Sequence, residues 1–218
     1  MCYNGLNTKK VSPKSQIFLF FITAIKLIYR ENVMRTLEEI ASEVKVCTKC
    51  ALHKGRTNAV PGDGNPKTEI LFIGEGPGSN EDKQGKPFVG DAGKFLEEMM
   101  AEIGVKREDI FITNVVKCRP PNNRDPLDEE VGVCTSNYLF DQIKAIKPKL
   151  IVTLGRHSMR LFFPQIKSIS EVHGKAYKKA GQVYLILYHP AAAIYQQSLK
   201  NTMIEDFKRI PEILKQIT

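Results

Sequence analysis

The segment from residue 69 to residue 82 places the strongest constraint on the fold of this chain. Residues 70–73, Ile-Leu-Phe-Ile, form a short uninterrupted apolar run, which is typical of a strand buried on both faces of a parallel sheet. The run ends in a glycine-rich turn, residues 74–78, where backbone N–H groups can approach a ligand closely. Glu75 lies in that turn, beyond the carboxyl end of the strand, where open α/β sheets bind ligands. It is therefore a candidate catalytic carboxylate, although a solvated acid in a tight turn would give the same pattern.

Three further apolar runs indicate more strands of the same sheet. They occupy residues 110–116, 150–155 and 183–188, and segments with helical periodicity lie between the runs. Strands that alternate with helices predict a three-layer α/β/α domain with a central, mainly parallel four-stranded sheet. The chain has 218 residues, 42% of them hydrophobic, which is enough for one well-buried domain. We predict that residues 34–218 form this single domain.

Residues 1–33 have a different character. A basic start precedes the apolar residues 17–25, and Lys26 then interrupts the run, which is too short and too charged to span a bilayer. No small-residue cleavage site follows it. After Met34, by contrast, Thr36 and Glu39 have the spacing of a capping box at the start of an amphipathic helix. We interpret residues 1–33 as an atypical extension introduced by the gene model, and we expect no membrane association and a cytoplasmic location.

Charge and cysteine content restrict the partners. The formal net charge is +8, half of it from residues 1–33, and this modest basic bias is compatible with nucleic-acid binding without demonstrating it. Five cysteines are an odd number in a chain too large to need a disulfide framework, which favours metal or cluster binding in a reducing compartment. Cys47 and Cys50 have the spacing of two thiolate ligands, but this pair alone fits zinc as well as an iron–sulfur centre.

Polar residues lie at the ends of other predicted strands. Asn114 interrupts the apolar residues 110–116, and its amide could recognise the edge of a base or satisfy loop backbone. His189 follows the strand at residues 183–188. Because the carboxyl ends of parallel strands meet at one edge of a sheet, Glu75, Asn114 and His189 are expected to converge on one crevice.

Two side chains and one connection carry weaker signals. Phe88 lies in a glycine-rich segment, residues 85–93, where it could stack on a base or pack into the core. His157, on a short helix after the third strand, is interpreted as a structural or surface group. Residues 164–182 are basic and contain glycine, so they could follow a phosphate backbone or form an ordinary solvated loop.

Four motifs, in their order along the chain, resemble the family 4 (thermostable type) uracil-DNA glycosylases. They are residues 74–82, 86–93, 113–121 and 189–192. With the cysteine pattern, the resemblance covers roughly residues 34–216. It implies an enzyme that flips deoxyuridine out of DNA and hydrolyses its N-glycosidic bond, leaving an abasic site without strand cleavage.

The resemblance also implies roles for individual residues. Glu75 would activate the attacking water, and His189 would hydrogen-bond uracil O2 and stabilise the departing anion. Phe88 would stack on the uracil, and the amide of Asn114 would pair with its O4 and N3–H. The backbone N–H near Gly76 would add a further contact to the base.

By the same resemblance, four cysteines would ligate a structural [4Fe–4S] cluster: Cys47, Cys50, Cys118 and Cys134. Zinc held by the same thiolates is the chemical alternative. Cys2 is left unassigned. The expected partner is DNA that contains uracil, bound by a monomer.

The chain departs from the family pattern after His189. Residues 193–197 lack the arginine expected in a loop that enters DNA, although Ile194 could act as a wedge and Tyr195 could stack. His173 replaces an expected arginine. The alternative functions are a non-enzymatic iron–sulfur or zinc module that binds nucleic acid, and a glycosylase for other deaminated bases. A nucleotide-binding α/β enzyme is disfavoured, because the glycines are followed by no Lys-Ser/Thr and form no GxGxxG.

Overall fold

A single sheet forms the centre of the structure, a computed structural model that describes residues 34–217. The predicted extension, residues 1–33, lies outside these described residues. The sheet has six strands: β1 (Asp63–Gly64), β2 (Ile70–Gly74), β3 (Phe111–Asn114), β4 (Leu150–Leu154), β5 (Ala176–Lys179) and β6 (Gln182–Leu187). Their order is β1-β3-β2-β4-β6-β5.

The four central strands are those that the apolar runs predict. β3, β2, β4 and β6 pair in parallel, whereas β1 and β5 add antiparallel edges. The prediction of a mainly parallel sheet is confirmed, and the predicted number of four strands is too small by two. β5 lies inside the segment 164–182, which the sequence analysis treats as a connection, so that interpretation is wrong for residues 176–179.

Helices cover both faces of the sheet. Their bounds are α1 (Leu37–Lys45), α2 (Ser79–Gln84), α3 (Asp91–Glu102), α4 (Asp128–Cys134), α5 (Phe140–Ile146), α6 (Arg156–Phe162), α7 (Ala191–Tyr195), α8 (Leu199–Phe207) and α9 (Arg209–Ile217). A π-helical turn, Thr135–Leu139, joins α4 to α5, and short 3₁₀ turns occur at Ala51–Lys54, Arg107–Asp109, Pro121–Asn123 and Ile169–Glu171.

Successive side chains of each strand point to opposite faces of the sheet, so the core has two halves. In β2, Leu71 and Ile73 face the half that contains α1, α4 and α5, whereas Ile70 and Phe72 face the half that contains α3, α8 and α9. All five residues of this strand are buried, as the uninterrupted apolar run predicts. The two half-cores on opposite faces of one sheet confirm the three-layer α/β/α architecture.

Local signals account for several helix ends. The hydroxyl of Thr36 accepts from the backbone N–H of Glu39, and the Glu39 carboxylate accepts from the N–H of Thr36, so the predicted capping box is present. The described chain ends in two consecutive helices, α8 and α9, and Pro211 is the third residue of α9. Proline fits there because the first turn of a helix has no partners for its N–H groups.

None of the helices in residues 34–217 is long and apolar enough to cross a membrane.

Candidate active site

The parallel strands bring their following residues to one edge of the sheet. Gly74, the last residue of β2, pairs with Asn114, the last residue of β3. On the other side of β2, Leu154 of β4 pairs with Leu187 of β6. Glu75 comes directly after β2 and His189 comes two residues after the end of β6, so the predicted convergence follows from the register of the sheet.

A cavity of about 400 Å³ lies at this edge, and all five predicted catalytic and base-binding residues line it: Glu75, Gly76, Phe88, Asn114 and His189. Its size lies within the range of small-molecule binding sites. The structure therefore brings the five residues together, while the chemical role of each remains a prediction.

Asn114 presents an unpaired acceptor in this region. The residue is 2% exposed, and its Oδ1 is the one buried side-chain oxygen or nitrogen among residues 34–217 that has no hydrogen-bond partner. A Cβ at Gly74 would lie 2.4 Å from this oxygen, so the glycine leaves the space that the amide occupies. Because an unmade buried hydrogen bond costs about 1–3 kcal/mol, a ligand that donates to Oδ1 would be favoured.

His189 is held in one tautomer. The backbone N–H of Ala191 donates to its Nδ1 at 3.2 Å, which leaves the ring proton on Nε2. Burial lowers the pKa of His189 to about 4, an effect that the nearby Glu81 only partly opposes. At neutral pH the ring is therefore uncharged, with an Nε2–H available as a donor. The Phe88 ring lies next to it, with centroids 5.5 Å apart.

The backbone around Phe88 is strained and firmly held. Phe88 has φ +52°, which is unusual for an aromatic residue. Arg107 donates to the carbonyl oxygens of Pro87 and Phe88, and a Glu81 oxygen accepts from the N–H groups of Val89 and Gly90. The other Glu81 oxygen accepts from Gly78, so one carboxylate joins the glycine-rich turn to the Phe88 segment. Glu81 carries no distinctive sequence signal, and the sequence analysis missed it.

Charged and titratable side chains surround the Glu75 carboxyl group. Burial raises the pKa of its carboxyl group, the neighbouring His157 and Arg156 lower it, and Asp125 raises it further. His157 Nε2 lies 3.6 Å from Glu75 Oε2 and 3.3 Å from Asp125 Oδ1. The sequence analysis interpreted His157 as structural or superficial, yet its side chain is 16% exposed and lies against the candidate catalytic carboxylate. Its position just after β4 is the signal that would have placed it at this edge.

The four cysteines of the proposed cluster come from three parts of the chain. Cys118 and Cys134 are buried, Cys47 and Cys50 are half-buried, and all four are free thiols packed in one region of the core. Arg56 Nη1 donates to Cys118 Sγ at 3.1 Å. Burial raises the pKa of Cys134 to about 11, so a bound cation is needed to stabilise its thiolate. This donor set of four thiols, with N–H groups directed at the sulfurs, fits a metal centre.

Lys117 connects the cysteine region to the base of the cavity. It is 1% exposed, and its ammonium group donates to Thr113 Oγ1, the Asn114 carbonyl oxygen and Gln142 Oε1 at 2.6–2.8 Å. Its backbone N–H donates to Cys134 Sγ at 3.3 Å. The lysine thus helps to fix the backbone of Asn114 from behind, a role that the sequence pattern did not indicate.

Comparison with known proteins identifies the class of enzyme to which this α/β fold, with an acid, an amide and an imidazole at one edge of its sheet, belongs. Residues 61–210 match the family model described as the Uracil DNA glycosylase superfamily.

Curated type-4 uracil-DNA glycosylases are similar to most of the chain. The protein of Sulfurisphaera tokodaii is 53% identical over 189 residues, which is 83% of this chain and 86% of the relative. The protein of Archaeoglobus fulgidus is 50% identical over 189 residues, which is 83% of this chain and 94% of the relative. The protein of Thermotoga maritima is 45% identical over 190 residues, which is 85% of this chain and 97% of the relative. The chain belongs to the type-4 uracil-DNA glycosylases.

Proposed function

We propose that this chain releases uracil from DNA by hydrolysis of the N-glycosidic bond, as a monofunctional glycosylase that leaves an abasic site. Membership in the type-4 family supports uracil as the base. The observation that carries the proposal for this chain is the unpaired Asn114 Oδ1 beside a base-sized cavity. Uracil flipped out of the duplex would supply the missing donor, its N3–H.

The same amide accounts for discrimination against cytosine. Its oxygen accepts from uracil N3–H, and its NH₂ group donates to uracil O4. Cytosine presents an unprotonated N3 and an amino group at these positions, so both contacts would be mispaired. The penalty of about 1–3 kcal/mol for a mispaired buried group accounts for part of the selectivity.

Glu75 and His189 would perform the bond cleavage. Glu75 orients a water whose oxygen forms the new bond to C1′ and whose proton passes to the carboxylate. The C1′–N1 bond breaks, and its electron pair leaves with uracil as an anion. The neutral His189 donates from Nε2–H to uracil O2, where negative charge develops. The Glu75 carboxylate also favours the positive charge that develops on the sugar.

Phe88 and Gly76 would complete the pocket. The Phe88 ring lines the cavity and offers a face for stacking on the base. A Cβ at Gly76 would lie 2.8 Å from a Val116 methyl group. A side chain there would therefore disturb the turn whose backbone N–H we propose to face the base. No lysine is required as a nucleophile, which is why we propose simple hydrolysis.

We propose further that the protein works as a monomer in the cytoplasm. Every residue with a proposed role lies in one chain, so a second copy is not needed to complete the site. The four free thiols favour a reducing compartment.

We propose that Cys47, Cys50, Cys118 and Cys134 hold a [4Fe–4S] cluster. Four free thiols are the usual ligand complement of such a cluster, and membership in the type-4 family supports it; zinc held by the same thiolates is the chemical alternative. The cluster, when bound, would pin three chain segments together.

Iron content tests the cluster. Protein purified without oxygen is expected to be brown and to contain about four irons per chain, with little zinc. Cys118→Ser is expected to lose most of this iron, whereas Cys2→Ser, outside the proposed ligands, is expected to keep it. Stoichiometric zinc in the parent protein would contradict the cluster.

Exchange of Asn114 tests the proposed base recognition. Asn114→Asp removes the donor to O4 and places a carboxylate beside the base, so uracil release is expected to fall at least about 100-fold, by about 3 kcal/mol. Release from uracil-, cytosine- and thymine-containing oligonucleotides is measured by alkaline cleavage at the abasic site. Asn65→Asp is a matched control, because either side chain can accept from the Lys67 N–H. Unchanged uracil release by Asn114→Asp would refute the recognition role.

A further inference from the structure

The carboxylate of Glu81 connects two walls of the cavity that it helps to line. Its Oε2 accepts from the backbone N–H of Gly78 at 3.1 Å, and its Oε1 accepts from the N–H groups of Val89 and Gly90, both at 2.9 Å. A Cβ at Gly78 would lie 2.8 Å from Oε2, so this glycine leaves the space that the carboxylate occupies. Three hydrogen bonds to one side chain therefore join the glycine-rich turn to the Phe88 segment.

These contacts exceed what a helix cap requires. Glu81 is the third residue of α2, and its bond to the N–H of Gly78 is the local one that a glutamate at this position makes. Glu39 makes the same local bond at the start of α1. Val89 and Gly90, however, lie eight and nine residues beyond Glu81 and outside α2. The second carboxylate oxygen thus serves the Phe88 segment rather than the helix.

The Phe88 segment has a backbone that must be held by its surroundings. Phe88 has φ +52°, and such a conformation persists only where neighbouring contacts determine it. Arg107 donates to the carbonyl oxygens of Pro87 and Phe88, while Glu81 accepts from the N–H groups that follow. Hydrogen bonds to charged groups are the stronger kind. The Phe88 ring that this backbone carries lines the cavity and lies 5.5 Å from the His189 ring, between centroids.

We propose that Glu81 is a positioning residue that holds the Phe88 ring where it stacks on the flipped-out uracil. The carboxylate acts through the backbone N–H groups of Val89 and Gly90, and not by contact with the reacting atoms. The inference rests on the proposed function and deepens it, since it names the group that sets the base-stacking surface. Loss of Glu81 should weaken binding of the flipped base and leave binding of the surrounding duplex unchanged.

Two substitutions of Glu81 test this expectation. Glu81→Gln keeps the size of the side chain but replaces one acceptor oxygen with an NH₂ group, which faces backbone donors. Glu81→Ala removes both acceptors. Affinity for a duplex with uncleavable 2′-fluorinated deoxyuridine is expected to fall about tenfold in the Gln variant and about 100-fold in the Ala variant, with a matching rise in KM. Affinity for the matched thymine duplex is expected to stay within about twofold of the parent.

A double-mutant cycle shows whether Glu81 acts through Phe88. Phe88→Leu removes the ring and is itself expected to weaken binding of the fluorinated duplex. If Glu81 serves to place that ring, adding Glu81→Gln to Phe88→Leu causes little further loss, because no ring is left to misplace. A merely structural role of Glu81 would instead give losses that multiply, as independent sites do. Thermal melting of each variant measures its folding.

Glu39→Gln is the matched control. It makes the same chemical change at the same helix position, where the carboxylate accepts from the N–H of Thr36. Glu39 is exposed, and α1 contributes no residue to the cavity wall. This variant measures the cost of losing a local cap, and its affinity for the fluorinated duplex is expected to stay within about twofold of the parent.

Three outcomes would overturn the proposal: parental affinity of Glu81→Ala for the fluorinated duplex, equal losses on the fluorinated and thymine duplexes, or losses that multiply in the double variant. If Glu81→Ala does not fold, the Gln variant alone decides between them. Failure of the proposed function is distinct, because the parent would then release no uracil. If the parent is active and Phe88→Leu weakens binding while both Glu81 variants bind as the parent does, only the positioning inference is wrong.

Discussion

Glu75→Gln is expected to lower kcat for uracil release by about 10³-fold, within the range of about 10²–10⁴ for the loss of a general base. Gln keeps the size of the side chain but cannot accept the proton of the attacking water. Binding to a duplex with uncleavable 2′-fluorinated deoxyuridine should be nearly unchanged, because the cavity keeps its shape. Single-turnover release with excess enzyme measures the loss directly.

The pH profile of the parent enzyme gives the same test without a substitution. Glu75 must be ionised, and burial raises its pKa, so kcat is expected to fall with decreasing pH at values above the usual range of a glutamate. The His189 ring, with a pKa of about 4, stays neutral over this interval and does not cause the fall.

Glu69→Gln is the matched control for this prediction. Glu69 is exposed and pairs with Lys149 just before β2, at the opposite end of that strand from the cavity. The same chemical change there is expected to leave kcat within about twofold of the parent, since surface ion pairs contribute little. A Glu75→Gln enzyme within tenfold of the parent would refute the general-base role.

Gly93→Ala is expected to destabilise the fold by about 3 kcal/mol and to lower uracil release by about 100-fold. A Cβ at this position would lie 1.9 Å from the Phe88 carbonyl oxygen and 2.3 Å from its carbonyl carbon. Backbone atoms must therefore move, and the strained Phe88 in the cavity wall moves with them. Urea unfolding measures the stability and a single-turnover assay the activity.

Gly132→Ala provides the comparison. Gly132 is also helical, in α4, but a Cβ there meets no atom within 4 Å. This change is expected to stabilise the protein by about 0.5–1 kcal/mol, because alanine is the better helix former. If Gly93→Ala were as stable and active as Gly132→Ala, the close packing of Phe88 against α3 would be refuted.

The central fold could be predicted because its strands are buried on both faces. Short, uninterrupted apolar runs are typical of such strands, and β2, β3, β4 and β6 each have one. The edge strands could not be found in this way. β1 has two residues, one of them Gly64, and β5 is mostly exposed and contains two lysines, so neither has an apolar pattern.

The site could be predicted only in part, because only some of its residues lie at the ends of strands that have an apolar pattern. Asn114 is the last residue of a strand, Glu75 and His189 follow strands, and the geometry of a parallel sheet brings such residues together. Asp125 and Glu81 reach the site through loops and a short helix, whose paths depend on tertiary contacts. His157 does follow a strand, but a lone histidine on a short helix has too many ordinary explanations to be singled out.

The two edges of the sheet bear on how the protein behaves when it is crowded. An open strand edge is a template on which another chain can add a strand, and this is how many sheets begin to aggregate. Here one edge has two residues, and the other carries Lys178 and Lys179, whose charges repel an identical edge. Concentrated solutions of this protein should consequently resist intermolecular β-pairing, since neither border offers a long uncharged strand to a neighbour.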